Sequence, residues 1–174
     1  FSILKTFFKA LHSVSGSFID PMMSKFLELK NNTKDFAVKM NSIFWGTFLL
    51  RLSLFAILAL LVQHIFLIYK IENSGVHQLI FYFLGVEFII AGMILIYGII
   101  LRLEKTTSKV FKASLVRFGV ELSLIYLILL DYGIMAAALI LLIARYVETV
   151  VTYLFVRNQR IFHFSGVLLL CFLL

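Results

Sequence analysis

The stretch Gln78-Leu79-Ile80-Phe81-Tyr82-Phe83-Leu84-Gly85-Val86-Glu87-Phe88-Ile89-Ile90-Ala91-Gly92-Met93-Ile94-Leu95-Ile96-Tyr97-Gly98-Ile99-Ile100-Leu101 carries a single charged residue, Glu87. A bilayer core of about 30 Å takes roughly 20 residues of helix, so this run is long enough to cross one. Its surroundings are of the same kind. Apolar residues make up 62% of the 174 positions and charged residues 14%, with a mean hydropathy of +1.04. A water-soluble domain carries roughly a quarter of its residues charged; here that polar surface is missing, and lipid is the expected solvent. Nineteen Phe and one Pro suit long helices, and the length allows about five or six crossings.

Working outward, a first apolar window covers Phe1 to Ile19 and ends at Asp20-Pro21. The segment 22–40 follows, in which Met22, Phe26, Leu27, Phe36 and Met40 mix with Lys25, Glu28, Lys30, Lys34, Asp35 and Lys39. That mixture predicts an amphipathic linker on the membrane surface. A second span is expected at Ile43–Tyr69, the third at Gln78–Leu101, a fourth at Ala113–Leu130 and a fifth at Gly133–Val156. Only Asp131-Tyr132-Gly133 divides the last two, which predicts a tight antiparallel hairpin. Gly tolerates the turn, and Ala136, Ala137 and Ala138 allow close backbone approach. A sixth span begins near Ile161 and runs into Leu168-Leu169-Leu170-Cys171-Phe172-Leu173-Leu174. The chain also opens at Phe1 inside an apolar window, and the expectation is a fragment: residues 1–174 as a partial, all-α, polytopic transmembrane bundle of about five spans plus a truncated sixth.

Lys and Arg alternate between connections as membrane topology requires. Lys25, Lys30, Lys34, Lys39, Arg102, Lys105, Lys109, Lys112, Arg117, Arg157 and Arg160 fall on one side, and Lys70 alone on the other. Segments 22–40, 102–112 and 157–160 are therefore expected in the cytoplasm. The net charge of +7 is explained by this asymmetry and by anionic lipid headgroups, without nucleic acid.

Charges inside spans cost about 2.5–3.5 kcal/mol each at mid-helix and mark the candidate site. Glu87, Glu121 and Arg145 lie near the middle of three spans, and Glu148 stands one turn from Arg145 on the same face. One reading pairs Arg145 with Glu148 or Glu121 as a structural contact. The other lines a water-filled cavity with them, Arg145 for an anionic substrate and the acids for a proton or sodium ion. Glu87 has no partner on its own helix, so either a neighbouring helix supplies one or the carboxyl is neutral much of the time. Lys5, Lys9 and His12 share a face of the first helix, either to meet phosphate or because lysines snorkel at a helix end. Arg51, about two turns inside the second span, is expected to snorkel to the interface. His12, His64, His77 and His163 are too scattered for a metal site. Ser13, Ser15 and Ser17 lack a base, no ATP-binding loop occurs, and no cofactor is expected.

Ser13-Val14-Ser15-Gly16-Ser17-Phe18-Ile19-Asp20-Pro21-Met22-Met23-Ser24-Lys25 resembles the Pro-bearing helix end and cytoplasmic linker of bacterial polysaccharide flippases. These belong to the multidrug/oligosaccharidyl-lipid/polysaccharide (MOP) exporter superfamily. Leu129-Leu130-Asp131-Tyr132-Gly133-Ile134-Met135-Ala136-Ala137-Ala138 is similar to that family's tight hairpin. The order of spans and basic linkers agrees over nearly the whole chain. The resemblance implies two six-helix bundles around a central cavity, with this chain as helices two to six of one bundle, the C-terminal one by its Pro-Met-Met-Ser-Lys segment, plus a further helix; the N-terminal bundle is the alternative. It implies flipping of a lipid-linked oligosaccharide, an O-antigen or capsule repeat unit, across the bacterial inner membrane by alternating access. Lys5, Lys9, His12 and Arg145 would face the pyrophosphate-bearing substrate, and Glu87, Glu121 and Glu148 would couple H+ or Na+. Polysaccharide assembly proteins are the implied partners. Other readings are a multidrug or metabolite exporter of the same superfamily, a membrane-embedded glycosyl- or acyltransferase acting on polyprenyl lipids, and a non-catalytic membrane subunit.

Overall fold

The computed structural model describes residues 1–17 and 33–157, and these are helical throughout apart from short turns, with no strand among them. The helices are α1 (Ser2–Ser17), α2 (Thr33–Leu60), α3 (Val62–Ile68), α4 (Gly75–Leu103) and α5 (Thr107–Arg157). Residues 18–32 and 158–174, with the Asp20-Pro21 break, most of the amphipathic linker and the sixth span, lie outside the described residues.

Three stretches are long and apolar enough to cross a membrane, Val38–Leu60, Gly75–Leu103 and Gly133–Val156. The expectation of five spans exceeds this. Over its described residues α1 rises about 24 Å, short of a bilayer core, and the first arm of α5 carries Lys109, Lys112, Arg117 and Glu121. The boundary between linker and second span also moves. Helix α2 begins at Thr33, so residues 33–40 are continuous with the span that the sequence places from Ile43. At its far end the same span breaks at Leu61, whose N–H is shared between the carbonyls of Ile57 and Leu58, and α3 completes it.

Helix α4 is the hub, packing on α1, α2 and, most extensively, α5. It is buried on nearly every face, including the unbroken run from Ile96 to Leu101, as expected of a helix apolar all round. Aromatic rings fill the spaces around it. Phe44 stacks on Tyr97 with centroids 5.8 Å apart, and Phe81 meets Phe8, Phe55 and Phe66. A Cβ at Gly85 would collide with the Phe55 ring, so the small residue sets how closely α2 approaches. By contrast, Leu49, Leu52, Ile57 and Leu60 of α2 and Leu115, Phe118, Leu122 and Tyr126 of α5 are exposed. An apolar exterior of this extent fits lipid or a further helix layer, not water.

The C-terminal ends of α4 and α3 are closed by the same backbone geometry. Glu104 ends α4, and Lys105 takes a left-handed φ of 56°. The Thr106 N–H then reaches the Leu101 carbonyl, and the Lys105 N–H the Arg102 carbonyl, which is the Schellman arrangement. Lys70, at φ 53°, ends α3 in the same way.

Helix α5 is a hairpin and not a continuous rod. Residues 117 and 148 would stand about 46 Å apart along a straight helix, yet Arg117 Nη1 lies 3.6 Å from Glu148 Oε2. The reversal is made at Gly133, with φ 59° and ψ −139°, a region open essentially to glycine alone. The second arm then buries the i+4 row Ala136, Ile140, Ala144, Glu148, Thr152 and Val156. Gly133→Ala is expected to destabilise the protein by about 1–3 kcal/mol. Gly119→Ala, in the first arm where a Cβ meets nothing within 4 Å, should be neutral or stabilising. Thermal unfolding of the two variants in detergent separates these outcomes.

Candidate functional site

The charged side chains meet where α1, α4 and both arms of α5 converge. Arg145, on the second arm, is the centre. Its Nε donates to Glu87 Oε1 of α4 at 2.7 Å, and its Nη1 donates to Glu148 Oε2 at 2.8 Å. Glu148, buried at 5% exposure, is shared further. Its Oε1 accepts from Ser114 Oγ at 3.2 Å, and Arg117 Nη1 approaches its Oε2. Arg117 Nε in turn donates to Glu121 Oε1 at 2.7 Å. Three carboxylates are thus tied by two guanidinium groups whose fork geometry suits such sharing.

The partner expected for Glu87 from a neighbouring helix is therefore Arg145. Of the two partners expected for Arg145 in a structural pairing, Glu148 is the one it meets, while Glu121 is held by Arg117 one turn away on its own arm. On the second arm, the Thr149 and Thr152 hydroxyls donate to the carbonyls of Arg145 and Glu148 one turn back.

Arg51 is the residue that sequence reasoning misplaced. It does not snorkel; it is 0% exposed. Its Nη1 donates to the Phe88 carbonyl at 2.7 Å, and its guanidinium carbon lies 4.8 Å from the centre of the Phe88 ring. The side chain lies flat on α4 because residue 92 is Gly; a Cβ there would stand 2.7 Å from Arg51 Cδ. The sequence signal was present, a Gly one turn beyond an aromatic in the hub helix, but the partner of that notch could not be read from it. Arg51 Nη1 also lies 3.1 Å from His12 Nδ1. A guanidinium can only donate, so this ring nitrogen accepts and the proton of the neutral imidazole sits on Nε2. Arg51 Nε and Nη2 are buried without a partner among the described residues.

A cavity of about 390 Å³ opens among these groups. Lys5, Lys9 and His12 of α1, Glu87 of α4, and Arg117, Glu121 and Arg145 of α5 line it. Six of the seven residues singled out from sequence thus share one cavity; the seventh, Glu148, lines a smaller one of about 170 Å³ beside it. Lys5 rests against the Phe1 ring at 5.9 Å, and neither Lys5 nor Lys9 has a carboxylate partner among the described residues. The hydroxyls of Ser15 and Ser17 bond the carbonyls of His12 and Val14 and are engaged with the backbone. Among the described residues no three His, Cys, Asp or Glu side chains are grouped to hold a metal ion.

No protein-family model, curated protein or solved structure matches the chain.

The network makes a stability prediction. Removing one member of a buried ion pair leaves the other charge uncompensated, at a cost of about 3–5 kcal/mol. Glu148→Ala strips a partner from both Arg145 and Arg117 and should fall in that range in detergent unfolding. Ser114→Ala removes one hydrogen bond and should cost about 1 kcal/mol.

Proposed function

We propose that this chain is part of a membrane transporter whose cavity receives an anionic, phosphate-bearing solute, and that lipid-linked oligosaccharide is that solute. The single observation that carries the reading is the cavity's charge. Lys5, Lys9, Arg117 and Arg145 line it against Glu87 and Glu121, with Glu148 bound to both arginines from the neighbouring cavity, so cations exceed carboxylates by one, and among the described residues the two lysines are the cations with no carboxylate partner. Charge held in a bundle of apolar helices is costly unless it serves a partner or a polar path. Point-charge lysines at the cavity wall, with arginine forks behind them, form a surface that suits a diphosphate.

In this reading the lysines meet the headgroup first, and Arg145 engages it by exchanging one of its carboxylates for phosphate oxygens. The exposed apolar faces of α2 and of the first arm of α5 would meet lipid or a second bundle, between which access alternates. Glu87 is the carboxylate best placed for ion coupling, since it holds Arg145 through one oxygen while Glu148 has both engaged. The resemblance to the flippases of the MOP superfamily supports the glycolipid and the bacterial inner membrane as the setting.

A second reading is favoured by the completeness of the pairing: every carboxylate of the network already has an arginine, as a structural brace requires. The two readings part on the lysines. In cells that depend on the full-length protein for surface glycan, Lys5→Gln with Lys9→Gln should lower glycan display severalfold without changing detergent stability, and Arg145→Ala should abolish display. Normal display in the double lysine variant would leave only the brace, in which case the loss of display in Glu87→Gln and Arg145→Ala should follow their loss of detergent stability.

A further inference from the structure

The two cavities are stacked in the same order on every helix that lines them. On α4 the larger is lined by Leu84 and Glu87, and the smaller by residues from Ala91 through Gly98 to Arg102. The first arm of α5 runs the other way, with Glu121 and Arg117 in the larger and Ser114 and Val110 in the smaller. The second arm places Leu141 in the larger and Glu148 and Thr152 in the smaller. Helix α1 gives the larger Lys5 and Lys9. The smaller cavity therefore extends toward the end of the bundle that bears Arg102, Lys105 and Lys109, and the larger lies toward the opposite end. Among the described residues, His12 and Arg145 are the two side chains that line both. They form the wall between them. Arg145 is pinned across that wall by Glu87 on the side of the larger cavity and Glu148 on the side of the smaller. His12 is backed by Arg51.

We propose that Arg145 and His12 are the partition between two aqueous half-channels that enter from opposite ends of the bundle, and that a polar solute or ion passes only when Arg145 leaves its carboxylates. The wall is made of side chains and not of backbone. Both cavities carry charged and hydroxyl side chains in otherwise apolar walls, and such groups favour water over an empty space. Rotation of Arg145 away from Glu87 or Glu148 joins the two spaces without moving a helix. Glu87 and Glu148 are the two ends between which the guanidinium is shared, so an anion arriving in the larger cavity competes with Glu87, and one in the smaller competes with Glu148. The inference rests on the transport reading for its purpose, but its geometry stands on the lining alone.

Single cysteines in the full-length protein, with Cys171→Ser as background, test it. Gly98→Cys sets a thiol in the smaller cavity, where a Cβ meets nothing within 4 Å, and Leu141→Cys sets one in the larger. The probe is a small, membrane-impermeant cationic methanethiosulfonate, presented to one face at a time in right-side-out and inverted vesicles. Gly98→Cys should react from the basic face, and Leu141→Cys from the opposite face only. Adding Arg145→Ala should make Leu141→Cys reactive from the basic face as well, where the variant with Arg145 in place does not react. Where Arg145→Ala does not assemble, His12→Ala removes the other half of the wall with the ion pairs intact and should have the same effect. A Gly98→Cys thiol unreactive from the basic face would overturn the proposal. So would Leu141→Cys labelling from that face that neither variant changes. Opening by Arg145→Ala with undiminished glycan display would keep the partition and remove the transport reading; lost display with the wall still sealed would do the reverse.

Discussion

The structure depends on where the charge of Arg145 goes. A guanidinium at mid-depth among apolar helices loses most of its bulk water, and attraction to carboxylates offsets that loss only when the geometry is close and the remaining donors are used. Here one arginine reaches a carboxylate on α4 and another on its own arm at hydrogen-bonding distance. The contact ties the hairpin to the hub helix at a fixed height. Once Arg145 is placed, Glu148 is placed, and Ser114 and Arg117 are drawn to it from the opposing arm. Apolar helices can slide along one another at small cost, because lipid tails are as apolar as their side chains. A charged crosslink between them cannot slide.

Arg51 shows the same constraint met differently. Among the described residues it has no carboxylate within ion-pair distance; it uses a main-chain carbonyl, an aromatic face and a histidine nitrogen. The Gly92 notch makes this possible, and the residual cost is visible in the donors left over. Its position behind His12 turns a packing solution into part of the cavity wall, since the imidazole that faces both cavities is held from behind by a cation that can only donate.

The exterior follows from the interior. Because α4 takes the burial, α2 and the first arm of α5 are left with apolar residues outside. The hairpin turn at Gly133 folds the two arms together, and the small residues Ala136 and Ala144 in the buried row let the second arm approach closely. What remains between α1, α4 and the two arms is polar, cationic and hollow.

The amino-acid sequence by itself determined the helical class, the apolar hub around Glu87, the hairpin at Asp131-Tyr132-Gly133 and the short list of charged residues. Each of these is a local matter: hydrophobic run length, a glycine between two runs, or a charge where lipid would be. Span number was less legible, because an arm carrying Arg117 and Glu121 and a short α1 lack the sustained apolarity by which crossings are recognised. Only the tertiary structure decided who pairs with whom. That Glu87 meets Arg145, that Glu121 turns to Arg117 and that Arg51 lies inward on Gly92 depend on helix rotation and height. Those are set by contacts between segments far apart in the chain, and no periodicity within one helix encodes them.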